Sequence, residues 1–232
     1  MGRKISIIIP VYNEEKTIAK LLNKVISVKL NKQIILVNDG SIDKTKEIIE
    51  KIITDKSNIK LFNHKKNLGK GSAIRTGLKY ISGDIVIIQD ADLEYNPNDY
   101  LKLIEPIINH ESDVVFGSRR LNKNNKQHSS WFFFFGGELL TFLTRLLYGI
   151  KITDEATCYK VFRTEIIKSL DLKCERFEFC PEVTAKLARK NILIKEVPIL
   201  YHPRTKNDGK KINWLDGLEA VWTLIKYRFY RL

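Results

Sequence analysis

Five short apolar runs divide the first half of the chain, at Ile5–Ile9, Gln33–Val37, Ile59–Phe62, Asp84–Ile88 and Asp113–Phe116. Each suits a strand buried on both faces. Between them apolar residues recur at helical spacing, first Ile18, Leu21, Leu22, Val25 and Ile26, then Ile48, Ile49, Ile52 and Ile53. This alternation predicts βαβ units and an α/β fold, a mostly parallel sheet flanked by helices.

Ligands bind such sheets outside the carboxyl ends of the strands, so the residues after each run matter most. They are Pro10-Val11-Tyr12-Asn13-Glu14-Glu15, Asn38-Asp39-Gly40-Ser41, Asn67-Leu68-Gly69-Lys70-Gly71, Asp90-Ala91-Asp92-Leu93-Glu94 and Gly117-Ser118-Arg119-Arg120. Asp90 and Asp92 flank a small residue, so strand alternation points both carboxylates the same way. Convergent carboxylates repel unless a cation joins them, and hard oxygen ligands suit Mg²⁺ or Mn²⁺. Glu94, two residues on, could ligate directly or through water. The same residues could instead build an Asx turn ahead of Pro97; their place at a strand end favours the metal. Gly69-Lys70-Gly71 lets a ligand approach the backbone closely and offers amides and an ammonium to phosphate, without the full P-loop pattern. Asp39 could accept hydrogen bonds from a base or ribose, or make an Asx turn. Asn13 could cap a helix begun by Glu14 and Glu15.

Composition narrows the class. The 232 residues suffice for one substantial core, and their formal net charge of +13 favours a polyanionic partner. The basic residues do not gather into one long run, and no helix-turn-helix, zinc-finger or RNA-binding signature is present, so nucleic acid is set behind anionic lipid and phosphate-bearing substrates. Cys158, Cys174 and Cys180 lack metal-ligand spacing, and their odd number argues for a reducing compartment. The first apolar run is too short for a secretory core and lacks a cleavage site, which points to a cytoplasmic protein.

Taken in order and spacing, Pro10, Tyr12, Asn13 and Glu14, Asp39-Gly40-Ser41, Asn67 with Gly69-Lys70-Gly71, Arg75 and Gly77, Asp90-Ala91-Asp92 and Gly117-Ser118-Arg119 resemble the family 2 glycosyltransferases of GT-A fold, within them the dolichyl-phosphate mannose synthase-like group. The resemblance covers nearly the whole chain. It implies that Pro10, Tyr12, Glu14, Asp39, Gly69, Lys70, Asp90 and Ala91 bind a nucleotide-diphosphate sugar carrying GDP or UDP, that Asp90, Asp92 and Glu94 hold Mg²⁺ or Mn²⁺, and that Asp92, Arg119 and Asp154 are catalytic. The chain departs from the family pattern in having Asn38 before Asp39 rather than two acids, Glu94 where Gln is common, and Thr157-Cys158 in place of Ser-Gly. No Gln-x-x-Arg-Trp signature of processive synthases occurs, so one sugar per turnover is expected.

A hydroxyl acceptor needs a general base, whereas a phosphate monoester, with a second pKa of about 6, is already anionic and needs cations around it. Arg119, Arg204, Lys206, Lys210 and Lys211 supply such cations, which favours a polyprenyl phosphate acceptor. The alternatives are a saccharide hydroxyl with Asp154 or Glu155 as base, and an inactive GT-A domain serving as a binding module at the membrane.

Trp131 to Ile150 has roughly the length of a membrane span, but Glu138, Arg145 and Gly136-Gly137 argue against one. Leu139, Leu143, Leu146, Leu147 and Ile150 share a helical face, with Phe132–Phe135 as an aromatic edge, as in an interfacial amphipathic helix; a core helix would share this pattern. Trp214 to Leu232 mixes Trp214, Leu218, Val221, Trp222, Ile225 and Phe229 with Lys226, Arg228 and Arg231, suited to an anionic membrane surface or to a separate membrane subunit. The expected organisation is a catalytic domain over 1–212, with a nucleotide-binding half at 1–117 and an acceptor-binding half at 118–212 that includes the interfacial segment 131–150. A C-terminal amphipathic helix at 213–232 follows. The protein is expected to sit peripherally on the cytoplasmic face of a membrane.

Overall fold

The computed structural model describes residues 3–125, 131–204 and 214–230. The chain runs β1 (Ile5–Val11), α1 (Ile18–Ser27), β2 (Lys32–Asn38), α2 (Thr45–Ile53), β3 (Ile59–Asn63), α3 (Lys70–Leu78), β4 (Ile85–Ile88), a 3-10 turn at Pro97–Asp99, α4 (Tyr100–Ile108), β5 (Val114–Ser118), α5 (Trp131–Tyr148), β6 (Lys160–Arg163), α6 (Thr164–Ser169), α7 (Phe179–Arg189), β7 (Ile194–Pro198) and α8 (Trp214–Phe229). All five apolar runs are strands of one seven-stranded sheet ordered β3-β2-β1-β4-β6-β5-β7. Every pairing is parallel except those of β6, which is antiparallel to both β4 and β5.

β1 is buried along its whole length, and its period of two divides the core into layers. Ile7 and Ile9 face the layer of Leu21, Leu22 and Leu103, whereas Ile8 faces that of Ile74, Val183 and Leu187. From β1 the chain steps to β2 on one side and later to β4 on the other, so the carboxyl ends of β1 and β4 mark the point where strand order reverses and a crevice opens. Pro10 suits that place. The Ile8 carbonyl accepts from Gln89 and the Val11 carbonyl from Asp39, so Pro10 faces the β4 side, beyond the last paired residues Ile8 and Ile88, where no donor is called for.

α5 turns the other way from a core helix. Thr141 and Thr144 are buried at 3% and 0% exposure, each hydroxyl bonded back to the carbonyl four residues earlier, while Leu139, Phe142 and Leu146 stand 55%, 59% and 69% exposed. α8 packs across it, with the Tyr148 hydroxyl donating to the Leu224 carbonyl. Among the described residues, no helix is long and apolar enough to cross a membrane.

Candidate active site

The loops after β1 and β2 are tied together. Asn13 does not cap a helix: it sits at φ 47, its amide donating to the Ser41 hydroxyl and its side chain accepting from the Ile42 amide. The first helical turn waits until Ile18. Glu14 is buried, its amide on the Thr45 hydroxyl and its carboxylate taking the Thr17 hydroxyl at 2.6 Å. Tyr12 lies half-buried beside it.

Asp39 is 2% exposed and holds the glycine loop in place, accepting from the Leu68 and Gly69 amides at 2.9 and 2.8 Å. Its Oδ1 also meets a ring nitrogen of His64 at 2.6 Å, and the other ring nitrogen meets the Thr76 hydroxyl. His64 went unnoticed in the sequence; its place one residue past β3, where every neighbouring strand carries a polar site residue, was the available signal. Gly69 has φ 95, and a Cβ there would lie 2.4 Å from the Glu175 carbonyl oxygen. Gly69→Ala is therefore expected to destabilise the fold by about 2 kcal/mol or more, from left-handed strain plus the clash; an unchanged midpoint in thermal unfolding would refute this.

Lys70 opens α3 and places its ammonium 2.5 Å from Asp90 Oδ1 and 3.0 Å from Cys158 Sγ. Burial alone would lower its pKa, but the Asp90 charge holds it well above the usual value. Asp92 makes the Asx turn, accepting from the Glu94 amide at 3.1 Å. Burial, then the charges of Asp90 and Glu94, push its carboxyl up to about 7. The turn and the crowding of acids thus coexist. Among the described residues, no three acidic, His or Cys side chains are already gathered to hold a metal ion.

A strap from Tyr201 to Arg204 lies over these acids. The Arg204 guanidinium grips Glu14 with two bonds of 3.1 and 2.7 Å, and its Nε donates to the Asp92 carbonyl at 2.7 Å. Its backbone amide and the Tyr201 hydroxyl both donate to the Glu94 carboxylate. Arg204, expected to serve the acceptor, is here a partner of donor-side residues. Lys206, Lys210 and Lys211 lie outside the described residues.

Arg119, just past β5, meets Asp154 in a two-pronged ion pair, Nε to Oδ2 at 2.7 Å and Nη2 to Oδ1 at 2.6 Å, with its backbone amide on Oδ2 as well. Burial would raise Asp154, but the Arg119 charge and hydrogen bonds bring it below the ordinary carboxylate range. Glu196 fixes this loop through the Thr153 and Asp154 amides, and the Arg119 guanidinium rests 5.0 Å from the centre of the Tyr201 ring. Glu155 points elsewhere: it is 0% exposed, takes the Thr184 hydroxyl of α7, and is raised to about 7 by burial.

The structure thus gathers Glu14, Asp39, Lys70, Asp90, Asp92, Glu94 and Arg204 at the β1–β4 crevice, with Pro10 and Ala91 buried in its walls, and Arg119 with Asp154 joined through Tyr201. Residues 6–171 match the family model described as glycosyl transferase family 2. The chain is 34% identical over 239 residues to the UDP-N-acetylglucosamine–dolichyl-phosphate N-acetylglucosaminyltransferase of Methanococcus voltae, covering 95% of this chain and 94% of that protein. It is 30% identical to the dolichol-phosphate mannosyltransferase of Pyrococcus furiosus, covering 97% of this chain and 64% of that one. In fold it resembles the glucosyl-3-phosphoglycerate synthase of Mycobacterium tuberculosis solved with UDP, with a TM-score of 0.77 at 19% identity over 98% of this chain and 80% of the other. Strand ends, sheet topology and family match agree: the chain belongs to glycosyl transferase family 2 and is a glycosyltransferase of GT-A fold.

Proposed function

We propose that this enzyme transfers a sugar, with inversion, from a nucleotide diphosphate carrying GDP or UDP to a polyprenyl phosphate at a membrane surface, assisted by Mg²⁺ or Mn²⁺. The observation that carries the acceptor is the Arg119–Asp154 pair. Asp154 is held ionised by two guanidinium bonds and Glu155 is sealed beneath the loop, so neither side chain suits general-base work. A phosphate acceptor needs no base, and only two of the five Arg119 side-chain N–H donors go to Asp154. Relatives named for dolichyl and undecaprenyl phosphate transfer support the same reading.

The residues fit a hard cation, because burial leaves Asp92 crowded by Asp90 and Glu94. Asp92 would hold the ion foremost, with Asp90 and Glu94 beside it, since Asp90 is shared with Lys70 and Glu94 with the strap. The ion, when bound, supplies Lewis-acid neutralisation of the donor diphosphate; a neighbour of the same fold was crystallised with Mn²⁺ and UDP. Lys70 adds a fixed positive charge to the leaving group, Asp39 and Gly69 set the loop that meets the nucleotide, and Arg119 orients the attacking phosphate oxygen. The direct test is product analysis with labelled GDP- and UDP-sugars and polyprenyl phosphate. The label should move into an organic phase and be released by mild acid. A water-soluble, acid-stable product on a saccharide acceptor, formed without lipid, would overturn the reading.

The membrane surface rests on two helices. Leu139, Phe142 and Leu146 of α5 and Trp214, Leu218, Trp222 and Phe229 of α8 are exposed, as are Lys226 and Arg228. Basic groups near an anionic surface contribute about 1 kcal/mol each. Lys226→Gln with Arg228→Gln is therefore expected to weaken partition onto phosphatidylserine vesicles roughly 30-fold, without moving the unfolding midpoint. Equal partition of variant and parent would remove Lys226 and Arg228 from any role at an anionic surface.

A further inference from the structure

Lys173 to Arg176, between α6 and α7, lie outside helix and strand, so their backbone groups need partners from elsewhere. The four amides all turn to glutamates at the start of α7. Those of Lys173 and Cys174 donate to the two oxygens of Glu182 at 2.8 and 2.6 Å, and those of Glu175 and Arg176 to the two oxygens of Glu178 at 2.5 and 2.8 Å. The four carbonyls all turn the other way, to α3. Those of Lys173 and Cys174 accept from the Arg75 guanidinium at 3.3 and 3.5 Å, and those of Glu175 and Arg176 from the Ser72 and Gly71 amides at 2.9 and 3.0 Å. Two amides that a helix start leaves without intrahelical partners are thereby taken. The segment also fills the space beside the glycine loop: a Cβ at Gly71 would lie 2.8 Å from the Cys174 carbonyl carbon, just as one at Gly69 would meet Glu175.

We propose that Glu182 and Arg75 are positioning residues for donor binding: from opposite sides of the 173–176 segment they fix the backbone of Gly69 to Ser72 where the nucleotide diphosphate meets it. The assignment of that loop to the donor rests on the transfer reading; the connection of Glu182 and Arg75 to the loop does not. Arg75 belongs to the sequence pattern of the donor half, yet the transfer itself gives it no task. Its guanidinium reaches the segment from the helix that carries the loop, and Glu182 holds the segment from α7. Glu182 is 0% exposed and braced from behind, with the Tyr227 hydroxyl of α8 donating to its Oε1 at 2.8 Å and the Lys186 ammonium 2.6 Å from the same oxygen. Burial alone would raise its carboxyl, but the bonds from Lys186, Lys173 and Tyr227 bring it below the usual range, so both oxygens stay acceptors. Arg176 is tied to α8 as well, through Asp216 at 3.3 Å. In Glu182→Gln one oxygen becomes an N–H group facing a backbone donor, so one of the two amides loses its partner and the segment loosens against the loop.

The test combines residue-resolved amide hydrogen exchange with titration of UDP and GDP into the full chain, for the parent, Glu182→Gln, Arg75→Gln and the double variant. In each single variant the Gly71 and Ser72 amides should exchange roughly tenfold faster or more, while those of Ile34 to Val37 in the sheet keep the parent's rates. Nucleotide binding should weaken about tenfold, and the donor KM should rise by a similar factor. The kcat should stay within about twofold, because the reacting groups are untouched. The double variant should bind no more weakly than the worse single variant, since both residues act through one segment. Parent-like exchange at Gly71 and Ser72 would overturn the proposal, as would faster exchange across the whole sheet or a fall in kcat with the donor KM unchanged. Faster exchange with unchanged nucleotide binding would refute the link to the donor. Should Glu182→Gln not fold, Arg75→Gln decides, because that half-buried side chain can be shortened without emptying the core. A parent that binds neither UDP nor GDP would sink the transfer reading and the donor role with it, while exchange, which needs no nucleotide, still decides the connection.

Discussion

Asp92→Asn is expected to lower sugar transfer by on the order of a thousandfold or more and to abolish its dependence on Mg²⁺ or Mn²⁺, since losing a ligand charge leaves a donor diphosphate poorly neutralised. The side chain is nearly isosteric, so the effect should be on activity and not on folding. In the metal-free protein the stability effect has the opposite sign. The Asp92 carboxyl is raised to about 7 in the fold, above its ordinary value of 3.8, so the folded state holds that proton more tightly than the unfolded chain. Its contribution is fully present below the unfolded value and is lost as pH rises through 7. Asn cannot ionise, so above pH 7 the metal-free variant should unfold at a temperature no lower than its parent. Full activity of the variant in the presence of chelator would sink the metal assignment.

The second large effect is expected at Asp154. Asp154→Asn leaves the half-buried Arg119 with its counter-charge gone, and breaking a largely enclosed pair from one side costs up to about 3–5 kcal/mol. Transfer should fall roughly 100-fold as the guanidinium loses its fixed orientation. Arg119→Gln should be comparably severe, and the double variant should recover stability but not activity, because the two residues act as one unit. A positioning role and a general-base role differ in pH dependence. If Asp154 only aims Arg119, the acid limb of the rate profile belongs to the acceptor phosphate, near its second pKa of about 6, and survives in the variant. Disappearance of that limb in Asp154→Asn would restore a base and with it a hydroxyl acceptor.

The donor half was legible because its information is local. Each of its strands is an apolar run, and its candidate residue follows within a few positions, so Glu14, Asp39 and Asp90 could be placed by counting, as could Arg119 at the start of the acceptor half. Two structural outcomes were not local. β6 has only Val161 and Phe162 between charged ends, and Lys160 is buried all the same because its ammonium lies 3.6 Å from the Phe116 ring centre and donates to the Glu155 carbonyl. Nothing in a single sequence links Arg204 to Glu14, 190 positions away. α5 shows a different difficulty. Its apolar stripe reads the same whether it faces core or solvent, and the side turned inward is the one whose threonines satisfy themselves along the helix. Asn13 has the composition of a cap yet is bonded across to the loop after β2, which competes with the local option.

The antiparallel strand β6 has a consequence for how the chain assembles. β3, β2, β1 and β4 pair through parallel crossovers closed by residue 88, but the free side of β4 finds its partner only in residues 161–163. β5 cannot cover it, because its own pairing to β6 also waits for that segment. During synthesis the Ile85–Ile88 edge, four consecutive β-branched residues, therefore stands open until about seventy further residues have emerged. Folding should proceed in two stages, a parallel half that forms early and a second half that docks by inserting one short strand. The interval between them is when this chain is most exposed to edge-to-edge aggregation.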